Sequence, residues 1–171
     1  MLPYVSFISL GLPDSLLGAA WPSIYQGFGV PVSYSGVIFC IISVGTVISS
    51  LKSDRLTQRF GAWGVTAISV AMTAAALFGF SVSNSFWALC LWAVPYGLGA
   101  GSHTASRHMS WLHCMWGIGA SVGPYIMGAA LSCNAGWHTG YRIIGGMQLV
   151  LTIVLVLSLP LWKTRSDADA E

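Results

Sequence analysis

The sequence is divided into runs of apolar residues roughly 17 to 23 long, separated by short polar or glycine- and proline-containing turns. At 1.5 Å rise per residue a helix of about 20 residues spans 30 Å, the thickness of a bilayer's hydrocarbon core. A soluble domain needs a wetted surface and carries about 25% charged residues. Here 7% of 171 residues are charged and 55% are hydrophobic, with a mean hydropathy of +0.72. The pattern specifies an all-α membrane protein whose main partner is the lipid bilayer.

Six spans are expected, at about 2–21, 32–51, 61–82, 86–102, 109–131 and 142–162, forming one transmembrane domain over 1–162. Residues 163–171, charged and poor in apolar side chains, are expected to be a disordered tail. Pro22 to Pro31 reads as a turn, Lys52 to Arg59 as a charged loop in water, and Ser83 to Ser85 as a tight turn. His103 to His108 and Asn134 to Tyr141 supply the remaining loops. The opening apolar stretch lacks a positive flank and carries Asp14, so it is read as a span and not as a cleaved signal.

Basic residues set the orientation, because Lys and Arg are retained on the cytoplasmic side during insertion. Lys52, Arg55, Arg59, Arg107, Lys163 and Arg165 fall on one side of the six-span arrangement and Arg142 on the other, where it would snorkel to the outer headgroups. Both termini are therefore expected in the cytoplasm of a multi-pass cell-membrane protein. Trp21, Trp63, Trp87, Trp111, Trp137 and Trp162 fall at span ends, where indole rings favour the headgroup level. Trp92 and Trp116 lie well inside spans, as packing groups or as walls of a ligand cavity.

Helices in lipid associate through close backbone approach, which calls for small residues four apart. Gly97 with Gly101, and Gly119 with Gly123, provide that spacing. Pro95 and Pro124 interrupt the hydrogen-bond ladder inside the fourth and fifth spans. Cys40, Cys90, Cys114 and Cys133 stand singly in or beside apolar runs, without metal-ligand spacing, and are expected to be inert buried thiols.

The net charge of +2 is small and dispersed, which argues against a nucleic-acid partner. An intramembrane enzyme is disfavoured as well. The sequence pairs no serine with a base and no two intramembrane acids, and His103 and His108 flank Arg107 in poor geometry for a metal. Neither a cofactor nor a metal is expected.

Asp14 is the one acidic residue expected inside the membrane, where a carboxylate costs several kcal/mol unless paired, hydrated or protonated. It is a candidate for proton coupling, or alternatively a cap around the break at Pro13. His113 and Trp116 share a helical face with Gly117 and Ala120, and offer a polar donor with a stacking surface. Gln148 and Tyr96 are further candidates for contact with a small-molecule substrate.

The segment from Ser50 to Gly61 resembles the signature loop of the major facilitator superfamily in carrying Asp54, Arg55 and Arg59, with Ser50 and Thr57 at positions where that family commonly has glycine. Gly11-Leu12-Pro13-Asp14, Pro95 to Gly101, Ser106 to Met109 and Trp111 to His113 look like fucose-permease-like sugar transporters of that superfamily. Gly119 to Gly128 partly resembles the fifth-helix motif of proton-linked antiporters. The resemblance implies the amino-terminal six-helix half of a twelve-helix fold, with a switch loop of Asp54, Arg55 and Arg59. It further implies transport of a small polar solute, such as a sugar by proton symport, together with a second half or as a homodimer. Relatives extend the fourth helix past the position of Ser102 with acidic and amide residues, and the sequence here passes from Ser102 through His103 and Thr104 to Ala105. The alternative is a membrane remnant or helix-interaction module that does not transport.

Overall fold

The computed structural model describes the backbone of residue 8 and of residues 11–100 and 109–168, and their side chains apart from those of 54, 62, 63, 109–113, 155 and 158–168. The start of the first span, the expected loop from His103 to His108 and the last three residues lie outside this set.

Residues 11–14 are helical, Ser15 forms a turn, and α1 runs from Leu16–Phe28. The break expected at Pro22 is not there. Pro22 lies inside α1, and the helix ends at Gly29, whose φ of 63° is the left-handed cap that only glycine takes without strain. Proline removes a single hydrogen bond from a helix, whereas a left-handed residue ends it. A 3-10 turn, Val32–Tyr34, then leads into a long helical stretch, Ser35–Val82.

That stretch is two helices, α2 (35–60) and α3 (62–82), meeting at Gly61 with φ 73° and ψ 158°. This backbone conformation is essentially reserved for glycine. The expectation of a loop from Lys52 to Arg59 is thus corrected: α2 continues through these charged residues. No Gly or Pro stands between Gly45 and Gly61 to end it sooner, and the non-glycine Thr57 is simply another helical residue.

α4 follows the expected turn at Ser83 to Ser85 and spans Phe86–Ala100. Its 15 residues give a rod of about 22 Å. α5 covers Met109–Ser132 and α6 Gly136–Ala168. The loop expected from Asn134 to Tyr141 contracts to a turn that uses positive φ at Asn134 (54°) and Gly136 (75°), so Arg142 lies within α6. Residues 163–168 are helical and not disordered, since nothing after Pro160 breaks the ladder.

The stretch of α2 and α3 packs chiefly on α4 and α6, and small residues set the separations. Gly79 admits the Trp92 ring, Gly99 meets the Ser69 carbonyl and Thr73, and Gly97 abuts the Ile42 backbone of α2. Gly119 and Gly123 of α5 receive the carbonyls of Ile8 and Leu12, while Gly11 faces the Trp116 backbone in return. The expected seam of Gly119 and Gly123 is therefore used, as is Gly97 of the other; Gly101 lies outside the described residues. The core consists of Leu16, Leu17, Ile24, Ile38, Leu77, Phe80, Leu89, Met127 and Ile144 with their neighbours.

Among the described residues three helical stretches are long and apolar enough to cross a membrane, Val32–Ser53, Gly64–Val82 and Cys114–Ser132, and Phe86–Ala100 is a shorter apolar helix. The described residues form an all-α membrane-type bundle consistent with one half of the major facilitator fold. One sequence expectation fails on the outer surface: only Cys90 is buried, and Cys40, Cys114 and Cys133 are exposed. In lipid an outward position is as apolar as an inward one, so hydrophobic surroundings in sequence do not imply burial.

Candidate functional site

Asp14 closes the helical turn of 11–14, just before the backbone turn at Ser15. Two contacts fix this segment against α5: the close passage of Gly11 and Gly123, and the hydroxyl of Ser15 donating to the Ala120 carbonyl. The Asp14 side chain is thereby aimed between α4 and α5. Tyr96 Oη donates to Asp14 Oδ1 at 2.8 Å, and Trp116 Nε1 donates to Oδ2 at 2.8 Å.

Both carboxylate oxygens are thus held by side chains from other helices, and Ser15, the residue preceding α1, makes no side-chain cap. Hydrogen bonds to an ionised group are about twice as strong as neutral ones. Tyr96 is buried on the core side, whereas Asp14 and Trp116 keep exposed surface on the other. The carboxylate therefore stands at a boundary, tethered from within and open outward.

A cavity of about 140 Å³ adjoins it, lined by Pro13, Asp14, Leu17, Phe39, Ile42, Leu77, Phe80, Tyr96 and Tyr141. Asp14 is its only charged group. Four aromatic rings form much of the wall, with Phe80 centred 6.1 Å from Tyr96 and 5.4 Å from Tyr141. Tyr141 is buried, and among the described residues its hydroxyl has no hydrogen-bond partner.

Of the residues singled out in the sequence, Asp14, Tyr96 and Trp116 converge. Gln148 is fully buried in α6 and is not among the residues lining this cavity. The side chains of His113 and Asp54 lie outside the described set. Arg55 and Arg59 are exposed on the last turns of α2, with the Arg59 guanidinium 5.7 Å from the centre of the Phe60 ring. The two interior tryptophans divide: Trp92 packs over Gly79, and Trp116 binds Asp14.

Trp21 and Trp137, expected at the interface, are instead buried, and Trp21 Nε1 donates to the Val32 carbonyl at 2.8 Å. Arg142 Nε donates to Ser81 Oγ at 3.0 Å, and His138 Nδ1 lies 2.7 Å from the Ser81 carbonyl oxygen. These contacts join the start of α6 to the end of α3.

Tyr141, Phe80 and Phe39 were missed by sequence reasoning. Tyr141 falls at the end of the loop expected from Asn134 and lies instead in α6. Its spacing of four from Trp137 was the available sign that both rings share one helical face.

No family model matches the chain. It is similar to the 4-hydroxybenzoate transporter PcaK of Pseudomonas putida, at 25% identity over 169 residues, covering 88% of this chain and 37% of that protein. The transporter of the same name from Acinetobacter baylyi is 21% identical over 165 residues, with 88% and 36% covered. Bypass of stop codon protein 6 of Saccharomyces cerevisiae is 22% identical over 134 residues, covering 70% of this chain and 27% of its own length. The chain thus spans little more than a third of the length of the transporters it matches. The similarity favours a transporter of the major facilitator type over an enzyme.

Proposed function

We propose that the chain forms the substrate-binding and proton-coupling half of a transporter for a small ring-containing solute, with Asp14 as the coupling group. The observation that carries this reading is the Asp14 carboxylate, held by Tyr96 and Trp116 at the edge of an aromatic cavity within an apolar bundle. A structural carboxylate gains nothing from such a position, where its desolvation is costly.

The size and lining of the cavity favour an aromatic acid over a sugar. Its volume of about 140 Å³ is close to the roughly 150 Å³ of an engineered apolar cavity that admits benzene. A sugar brings several hydroxyls, each costing about 1–3 kcal/mol if buried unpaired, and this lining offers few partners. The similarity to 4-hydroxybenzoate transporters supports the same choice. An aromatic carboxylate arriving beside Asp14 adds a second negative charge. A proton bound between the two removes the repulsion, so anion and proton move together.

Alternating access in this fold requires a second bundle facing the site. A second six-helix half or a second copy of this chain would supply it, and the exposed sides of Asp14 and Trp116 are where it would meet the ligand. The last turns of α2, which carry Asp54, Arg55 and Arg59, would then act as the switch between states.

Reconstitution in proteoliposomes tests the reading, with labelled 4-hydroxybenzoate and labelled sugars offered under an imposed pH gradient and the oligomer size measured in parallel. Gradient-driven uptake of the aromatic acid by the wild type, lost in Asp14→Asn with insertion intact, is the expected result. Uptake unchanged in the mutant would remove Asp14 from the mechanism. A monodisperse monomer that takes up none of these solutes would favour a helix-interaction module.

A further inference from the structure

The Asp14 cavity contains one polar group that the coupling role leaves unused. Tyr141 is 1% exposed, yet its hydroxyl has no partner among the described residues. A buried hydroxyl without a hydrogen bond costs about 1–3 kcal/mol, and such groups are rare enough in native structures that each one calls for an explanation.

The ring is not free to turn its hydroxyl elsewhere. Phe80 packs on it at 5.4 Å and Trp137 meets it edge-on at 5.9 Å. α6 itself is held close to its neighbours, with Gly140 against Met127 and Gly145 against Leu77. Tyr141 thus forms part of a rigid cavity wall, and a phenylalanine there would pack as well without the polar atom.

Tyr96, the other tyrosine of the lining, already gives its proton to Asp14. The two therefore differ in availability: Tyr96 is committed to holding the carboxylate, and Tyr141 is free to donate to a ligand and to accept from it.

We infer that Tyr141 is a specificity-determining residue, whose hydroxyl pairs with a polar ring substituent of the bound solute and so selects hydroxylated rings over bare ones. This inference rests on the proposed aromatic-solute reading. Discrimination follows from the unpaired state. A ligand that brings a hydroxyl satisfies Tyr141, and one that lacks it leaves the buried group unmet.

The test is equilibrium binding of 4-hydroxybenzoate and of benzoate to the purified full chain in lipid nanodiscs, for wild type and Tyr141→Phe. The wild type should prefer the hydroxylated acid by about fivefold, the worth of one net hydrogen bond. Tyr141→Phe should abolish that preference and leave benzoate binding within about twofold, since the ring contacts remain.

A preference that persists in the variant, or equal loss of both ligands, would overturn the assignment, the second outcome marking a packing role. A wild type that binds both acids equally would overturn it without recourse to the variant. A wild type that binds neither would remove the aromatic-solute reading itself and this inference with it. Failure of the selectivity claim alone is thereby distinguishable from failure of the function beneath it.

Discussion

Two helical spans of equal hydropathy have opposite surroundings. Val32–Ser53 and Gly64–Val82 both average 1.9, yet 11% of the first is buried in the bundle against 61% of the second. Hydrophobicity does not separate them, because lipid solvates a valine about as well as a protein core does. The two differ in which side chains meet the rest of the bundle. The first carries Val37, Phe39, Val44, Val47 and Ile48 on exposed positions, while the second presents Ala67, Ser69, Thr73, Ala74 and Ala76 to its neighbours. Small residues bring backbones close, and that proximity earns dispersion contacts that lipid cannot match. Small residues thus mark where backbones approach, and large ones such as Val70, Leu77 and Phe80 fill the interior between them.

The largest effect should come from filling a seam. Gly97→Leu would drive a side chain into the Ile42 backbone, where nothing can yield, and is expected to cost about 3 kcal/mol or more, or to prevent assembly. Reversible unfolding in mixed micelles measures it. Val47→Leu, on the exposed side of α2, should change stability by less than about 0.5 kcal/mol. Comparable losses at both positions would break the comparison.

Next in size are the tethers on Asp14. Tyr96→Phe and Trp116→Phe each remove one hydrogen bond to the carboxylate while keeping a ring, and each should weaken solute binding by about 1.5–3 kcal/mol. Calorimetry on the reconstituted chain would detect that loss. Trp92→Phe, an equally interior tryptophan without this contact, should leave binding near the wild-type value. Equal effects at Trp92 and Trp116 would show that packing, and not the bond to Asp14, matters.

A smaller effect is expected at Trp21, whose indole ties α1 to the turn before α2. Trp21→Phe should cost about 1 kcal/mol of stability, read from the same unfolding assay. The smallest belongs to Arg142→Gln, which removes a part-buried bond to Ser81 at the end of the bundle and should cost about 0.5 kcal/mol. A loss at Arg142 exceeding that at Trp21 would assign the α3 to α6 junction more weight than its exposure suggests.

Several parts of the fold were legible beforehand for identifiable reasons. The turn at Ser83 to Ser85 interrupts two apolar runs with polar residues, and the seams at Gly97, Gly119 and Gly123 follow from spacing alone. Helix ends were less legible. Charge at Lys52 to Arg59 suggested a loop, but charge only requires water, and a helix can carry it there. Proline at Pro22 suggested a break, but the chain stopped at the glycines able to take positive φ, Gly29 and Gly61. Asp14 was legible as the lone acid of an apolar run, and Tyr141 was not, because its hydroxyl matters only for what surrounds it.

By itself the sequence determined the solvent, the helical class and the position of a costly intramembrane carboxylate, since these depend on run length and on the energy of a single group in lipid. Only the tertiary structure decided which helices turn inward, which tryptophan reaches Asp14 and which tyrosine has no partner among the described residues. The partners of Asp14 lie 82 and 102 residues away along the chain. No local pattern encodes such pairings when lipid and protein interior are equally apolar and only backbone proximity separates them.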